Sequence, residues 1–152
     1  MEWISEVMKL STKARYGARL MISLARHYGQ GSVFLREIAR EEEISEKYLS
    51  LIILALKGAG LVNSARGANG GYTLAKPPSQ ITLRRIIEVF EGRCLVDCLT
   101  NPSSCPRAHL CASRDVWVLL EGKISETLEA INLEQLVEVH RRKAEADLMN
   151  HI

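Results

Sequence analysis

Cysteine is missing from almost all of this chain. The four present, Cys94, Cys98, Cys105 and Cys111, fall within one eighteen-residue stretch. Cysteine used only as a small core residue would be scattered, so the clustering points to thiols acting together. The options are a metal or iron–sulfur site, a thiol switch, or a disulfide staple. Other absences narrow the choice. No apolar run approaches the roughly 20 residues of a membrane span, which argues against a membrane protein. The opening MEWISEV has no basic n-region and no apolar h-region, unlike a secretory signal. A cytoplasmic location is therefore expected, where thiols stay reduced and a disulfide framework is disfavoured against metal binding. Aromatic residues are sparse, at 5%. There is no P-loop, no Gly-x-Ser-x-Gly, no paired His/Glu helix motif, no internal repeat and no low-complexity segment. Cys105 or Cys111 could act as a nucleophile with His109, but no pocket-building segment surrounds them. An enzyme is not expected.

What is present is an ordinary globular composition, 47% hydrophobic and 25% charged. At 152 residues it suits one domain, or a small domain with an appendage. The net charge of +2 is unevenly placed: Met1 to Gln80 carries 11 Lys/Arg against 7 Asp/Glu, whereas Ile81 to Ile152 carries 9 against 11. The first half is the part suited to a polyanion.

Residues 1–7 read as an extension. Ser11 and Thr12 offer a cap to a helix carrying Tyr16, Leu20, Ile22, Leu24 and Tyr28, which Gly29 and Gly31 should end. A short helix, LREIAREEE, is followed by a break and a fresh N-cap at Ser45. The next helix, EKYLSLIILALKGAG, should stop at Gly58 or Gly60. Short helix, tight turn, apolar helix and glycine stop make a helix-turn-helix pattern. Leu61 to Ala65 and Tyr72 to Leu74 read as paired strands around the turn Arg66-Gly67-Ala68-Asn69-Gly70-Gly71. A hairpin in that place is a wing, and its glycine-rich tip allows close backbone approach. The predicted fold is mainly α with a small β-hairpin wing. The winged helix-turn-helix domain spans 8–80, and a linking helix and the cysteine loop occupy 81–112.

Ser113 is expected to cap a long helix with Val116, Trp117, Leu120, Ile124, Leu128 and Ile131 along one stripe, close to 28 Å in length. After a complete winged domain it has little of its own chain to pack on, so pairing with a second copy is the economical expectation. The plainer alternative is that it folds back on its own domain. The dimerisation region is placed at 113–137, and 138–152 reads as a polar, frayed tail.

In a helix-turn-helix the second helix enters the major groove of double-stranded DNA through its N-terminal residues. Here these are Ser45, Glu46, Lys47, Tyr48 and Ser50, with Leu49, Ile52, Ile53 and Leu56 toward the core. Ser45, Lys47, Tyr48 and Ser50 can hydrogen-bond phosphates or bases. Lys9, Lys13, Arg15 and Arg19 could flank the phosphate backbone, and Arg66 on the wing is placed for a minor groove. Any of these could instead be an ordinary solvated surface group.

The chain resembles the winged-helix regulators of the iron–sulfur cluster regulator (IscR-like) type. The resemblance runs from Met8 to about Val137. It is carried by MKLSTKARYGARLM, by the LREIA, ISEKYLSLI and LKGAGLVNSARGANGGYTLA segments, by the spacing of Cys98, Cys105 and Cys111, and by CASRDVW leading to INLEQLV. It implies a homodimer that binds palindromic promoter DNA through Ser45, Lys47, Tyr48, Ser50 and Arg66. It also implies an iron–sulfur cluster, [2Fe-2S] in preference to [4Fe-4S], on Cys98, Cys105 and Cys111. The chain departs from the family at the fourth ligand. A histidine used by some members is here Arg114, and an acidic residue used by others is here Arg15. Cys94 or His109 could complete the site, or Cys94 could be inert. Ser50 stands where some members have a glutamate that tunes DNA choice.

The expected function is thus a transcription regulator whose promoter binding responds to a cluster and, through it, to redox state or nitric oxide. A zinc or thiol-switch site is an alternative signal. So is a partner enzyme, as in the cysteine-metabolism branch of the family. A small redox or electron-transfer protein is the alternative of another class.

Overall fold

The computed structural model describes residues 9–66, 70–93 and 95–152. Among the described residues the four-residue β1 (Val62–Ala65) and β2 (Gly71–Leu74) sit among six α-helices: α1 (Thr12–Arg26), α2 (Leu35–Glu42), α3 (Glu46–Gly58), α4 (Leu83–Glu91), α5 (Ala112–Glu129) and α6 (Leu133–Asn150). The class is the one expected, mainly helical with a hairpin.

Local capping explains where the first helices begin. The Ser11 hydroxyl accepts from the Ala14 amide at 3.0 Å, and the Ser45 hydroxyl accepts from the Tyr48 amide at 3.1 Å. Each satisfies one of the orphan donors at a helix start. The α2–α3 turn passes through Glu43, a left-handed residue with φ of 55°. One helix end differs from expectation. α1 stops at Arg26 with His27 as its cap, before Gly29 and Gly31, which shape the following turn with φ of 83° and 96°.

Leu20, Met21 and Leu24 of α1, Ile38 of α2, Leu49, Ile52, Ile53 and Leu56 of α3, and Ile86 of α4 form a single buried core. Gly17 lets α1 lie directly against Phe90 of α4; a methyl group there would overlap the ring. The hairpin pairs Val62 with Leu74 through to Ala65 with Gly71. It is tied down by Val33, whose amide donates to the Tyr72 carbonyl at 2.9 Å while Tyr72 donates back at 2.8 Å. Gly71 has φ of 132°, and a Cβ there would lie 2.6 Å from the Val33 carbonyl oxygen. Only glycine accommodates both conditions.

The C-terminal part leaves this core and returns to it. α5 contains no buried residue. The chain then turns at Ala130–Asn132 and re-docks: Leu83 donates to the Ile131 carbonyl at 2.8 Å, and Leu133 donates to that of Ile81 at 3.0 Å. Leu133 is fully buried. A capping box between Asn132 and Gln135 starts α6.

Two expectations fail here. Ser113 does not cap α5, because the N-cap position is Cys111 and Ser113 lies in the first turn. Nor does the tail fray after Val137: α6 runs unbroken to Asn150. Its polar sequence encodes ion pairs one helical turn apart, Glu138 with Arg141 at 2.6 Å and with Arg142 at 3.1 Å, and Arg141 with Glu145. Among the described residues, no helix is long and apolar enough to cross a membrane.

Candidate nucleic-acid interface and cysteine loop

The helix-turn-helix exposes the N-terminal end of α3, as a groove-reading helix requires. Glu46 and Lys47 are exposed. The other candidates on α3 are partly committed to the fold. The Ser45 hydroxyl caps the helix. Ser50 donates to the Glu46 carbonyl at 2.8 Å. The Tyr48 ring, half-buried, meets Tyr16 edge-on, with centroids 5.7 Å apart. On α1, Lys13 and Arg15 are exposed, and Arg15 donates to the Thr12 hydroxyl at 3.2 Å. Arg19 is differently placed. It pairs with the Glu42 carboxylate at 2.9 Å, donates to the Glu42 carbonyl, and lies over the Tyr16 ring. It therefore ties α1 to α2. Arg66 is exposed where β1 ends. Beyond it, 67–69 lie outside the described residues.

One feature of α3 escaped the sequence reading. Leu51 and Leu54 are 57% and 63% exposed, while Leu49, Ile52, Ile53 and Leu56 are buried. Counting in steps of about 100° from Lys47 puts both leucines on its stripe. That periodic signal was present in the sequence, hidden within a run of apolar residues.

Cys98, Cys105 and Cys111 lie on a loop of three short 3₁₀ turns, Asp97–Leu99, Pro102–Ser104 and Ala108–Leu110, between α4 and α5. Cys98 sits in the first turn, and Cys105 and Cys111 follow the second and third. All three are free thiols of intermediate burial. Arg114, where some family members would carry a ligand, reaches back from α5. Its Nε and Nη2 each lie 3.4 Å from the Cys98 carbonyl oxygen. Cys111 Sγ lies 3.1 Å from the Ser113 hydroxyl. That hydrogen bond, aided by the Arg114 amide and, less strongly, by the Arg107 charge, holds the Cys111 thiol below its ordinary pKa. His109 is exposed in the third turn. Cys94 lies outside the described residues.

Three thiols suit an iron–sulfur cluster or zinc chemically. Their arrangement is not that of an assembled site: among the described residues, no three His, Cys, Asp or Glu side chains are grouped to hold a metal ion.

A helix-turn-helix with a hairpin wing, an exposed recognition-helix end and basic flanking residues defines a winged-helix DNA-binding regulator. The chain belongs to the Rrf2 family, described as iron-dependent transcriptional regulators, whose model matches residues 10–139. It is 40% identical over 129 residues to the HTH-type transcriptional regulator CymR of Bacillus subtilis (strain 168), covering 85% of this chain and 89% of that protein. The structure of CymR (YrzC), the global cysteine regulator of B. subtilis, superposes with a TM-score of 0.73 at 38% identity, over 88% of this chain and 98% of that one. The T. potens IscR structure matches with the same TM-score of 0.73 at 37% identity, over 90% of both chains. The relatives are transcriptional regulators, not enzymes.

Proposed function

We propose that this protein is a cytoplasmic, homodimeric transcription regulator whose affinity for palindromic promoter DNA is set by the state of Cys98, Cys105 and Cys111. The observation that carries the reading is the position of the loop. It joins the winged domain at α4 to the outlying helix α5, with Arg114 of α5 directed at the Cys98 backbone. In this reading 8–80 reads DNA, and the exposed face of α5 within 113–137 pairs with a second copy. Val116, Val118 and Leu119 lie on that solvent-exposed helix. Ser45, Lys47, Tyr48, Ser50 and Arg66 face the DNA, with Lys13 and Arg15 beside the phosphates.

The ligand favoured for the loop is an iron–sulfur cluster, [2Fe-2S] before [4Fe-4S], on the three cysteines, with Cys94 or His109 as fourth donor. When bound, it would supply a redox- and nitric oxide-sensitive charge at the junction of reader and dimer helix. The family description as iron-dependent and the likeness to an IscR structure support this reading. Iron and sulfide quantification with visible spectroscopy on anaerobically purified protein tests it. The wild type should be coloured with stoichiometric iron and sulfide, and Cys98→Ala should lose both. Cys94→Ala resolves the fourth donor. Colourless protein without iron overturns the cluster reading.

A second reading has its own support. The 40% identity to CymR, together with three thiols that form no three-residue metal cluster among the described residues, one of lowered pKa, fits a thiol-based or partner-dependent regulator tied to cysteine metabolism. It predicts colourless protein whose DNA affinity changes on mild oxidation or on adding a cysteine-metabolism enzyme.

A further inference from the structure

The outward stripe of α3 is apolar where a groove-reading helix ordinarily presents polar groups. At about 100° per residue, Lys47, Leu51, Leu54 and Gly58 fall within about 60° of one another. Nothing lies within 4 Å of where a Gly58 side chain would begin, so the stripe stays open to its end. The two serines beside it are each engaged once within the helix. The Ser45 hydroxyl accepts from the Tyr48 amide as the helix cap and keeps its own O–H, and the Ser50 hydroxyl donates to the Glu46 carbonyl and keeps only acceptor capacity. Lys47, exposed and charged, is the strongest donor on the stripe. Lys57 and Arg66 are also exposed and carry the positive charge a phosphate backbone requires.

The major groove displays one apolar group to such a surface, the 5-methyl of thymine. Scattered exposed leucines need no explanation. Two on the stripe that a helix-turn-helix lays into the groove, three residues and about 4.5 Å apart along the axis, are placed to meet that methyl. We propose that Leu51 and Leu54 are specificity-determining residues that read thymine methyl groups, so that this protein selects thymine within each half-site by apolar contact. The inference rests on the DNA-binding reading and adds to it the chemistry of base choice.

The test uses the full chain, purified anaerobically, and a duplex enriched from a random pool. Thymines in each half-site are replaced one at a time by uracil, which removes the methyl and leaves the base pair. Wild-type affinity should fall roughly fourfold at each contacted thymine, the effect of one buried methyl. Leu51→Ala or Leu54→Ala should abolish the difference at its own position, binding both duplexes at the uracil level. Both side chains are exposed, so the variants should unfold at the wild-type temperature. Equal wild-type affinity for thymine and uracil duplexes overturns the inference but leaves DNA binding standing. So does undiminished discrimination by both variants. Failure to enrich any duplex overturns the DNA reading and this inference with it.

Discussion

The winged domain and the α5 arm solve opposite problems with similar amounts of apolar sequence. α3 turns Leu49, Ile52, Ile53 and Leu56 into a shared core in which none is more than 1% exposed. α5 has a comparable supply in Val116, Trp117, Val118 and Leu119, yet buries no residue. The first region is specified within one chain. The second has its apolar surface supplied but not satisfied, and between the two lies the cysteine loop, whose three described thiols form no three-residue metal cluster. In the function proposed above, the contrast marks the two places where the molecule would depend on something outside itself: a second copy along α5, and a ligand or oxidant at the loop.

The sharpest way to break the comparison is to make the same truncation on both sides. Leu49→Ala should cost about 2–5 kcal/mol, the usual range for emptying a filled core site, read by urea unfolding. Leu119→Ala should leave unfolding of the winged domain unchanged and weaken self-association in sedimentation experiments. An equal loss of stability from both would place α5 in the same core. Next in size is Gly71→Ala. Left-handed strain and the Val33 carbonyl together should cost on the order of 1–3 kcal/mol, detach the wing from Val33, and reduce DNA affinity more than Lys13→Ala does.

A smaller effect is expected at the junction. Arg114→Ala removes long hydrogen bonds to Cys98, so it should cost at most about 1 kcal/mol. It should nonetheless speed amide exchange across Asp97–Leu99 while leaving α1 and α3 protected. The smallest concerns α6. Hydrogen bonds from Arg141, then Arg142, lower the Glu138 pKa to about 2 from an ordinary 4.5. A depressed carboxylate contributes stability above its unfolded pKa and loses it as pH falls toward its folded one. The carboxyl carbon of Glu138 should therefore titrate near 2 by NMR, with the helix end unchanged between pH 7 and pH 5.

What could be read from the residues follows the range of the forces involved. Ser45 as a cap, the turn before α3 and Gly71 at the foot of the wing are local signals spanning three or four positions, and they transferred directly. The buried set on α3 followed from helical period. The helical tail was misjudged because His140, Arg141, Arg142 and Lys143 read as a solvated run. Their one-turn pairing with Glu138 and Glu145 becomes visible only when acidic and basic positions are counted together. Cys111 displaced Ser113 as the cap because the last 3₁₀ turn runs straight into α5, a continuity with no periodic signature. The outward leucines of α3 were hidden among inward ones. Whether Cys98, Cys105 and Cys111 gather into one site lay beyond local reading, since that is a matter of tertiary arrangement.

The central claim is that the state of the cysteine loop sets the grip of the winged domain on DNA. Affinity for the enriched duplex, measured anaerobically at one salt concentration for cluster-loaded protein and for the same protein stripped of iron, tests it directly. The two affinities should differ, with unchanged unfolding of the winged core. Equal affinities would contradict it.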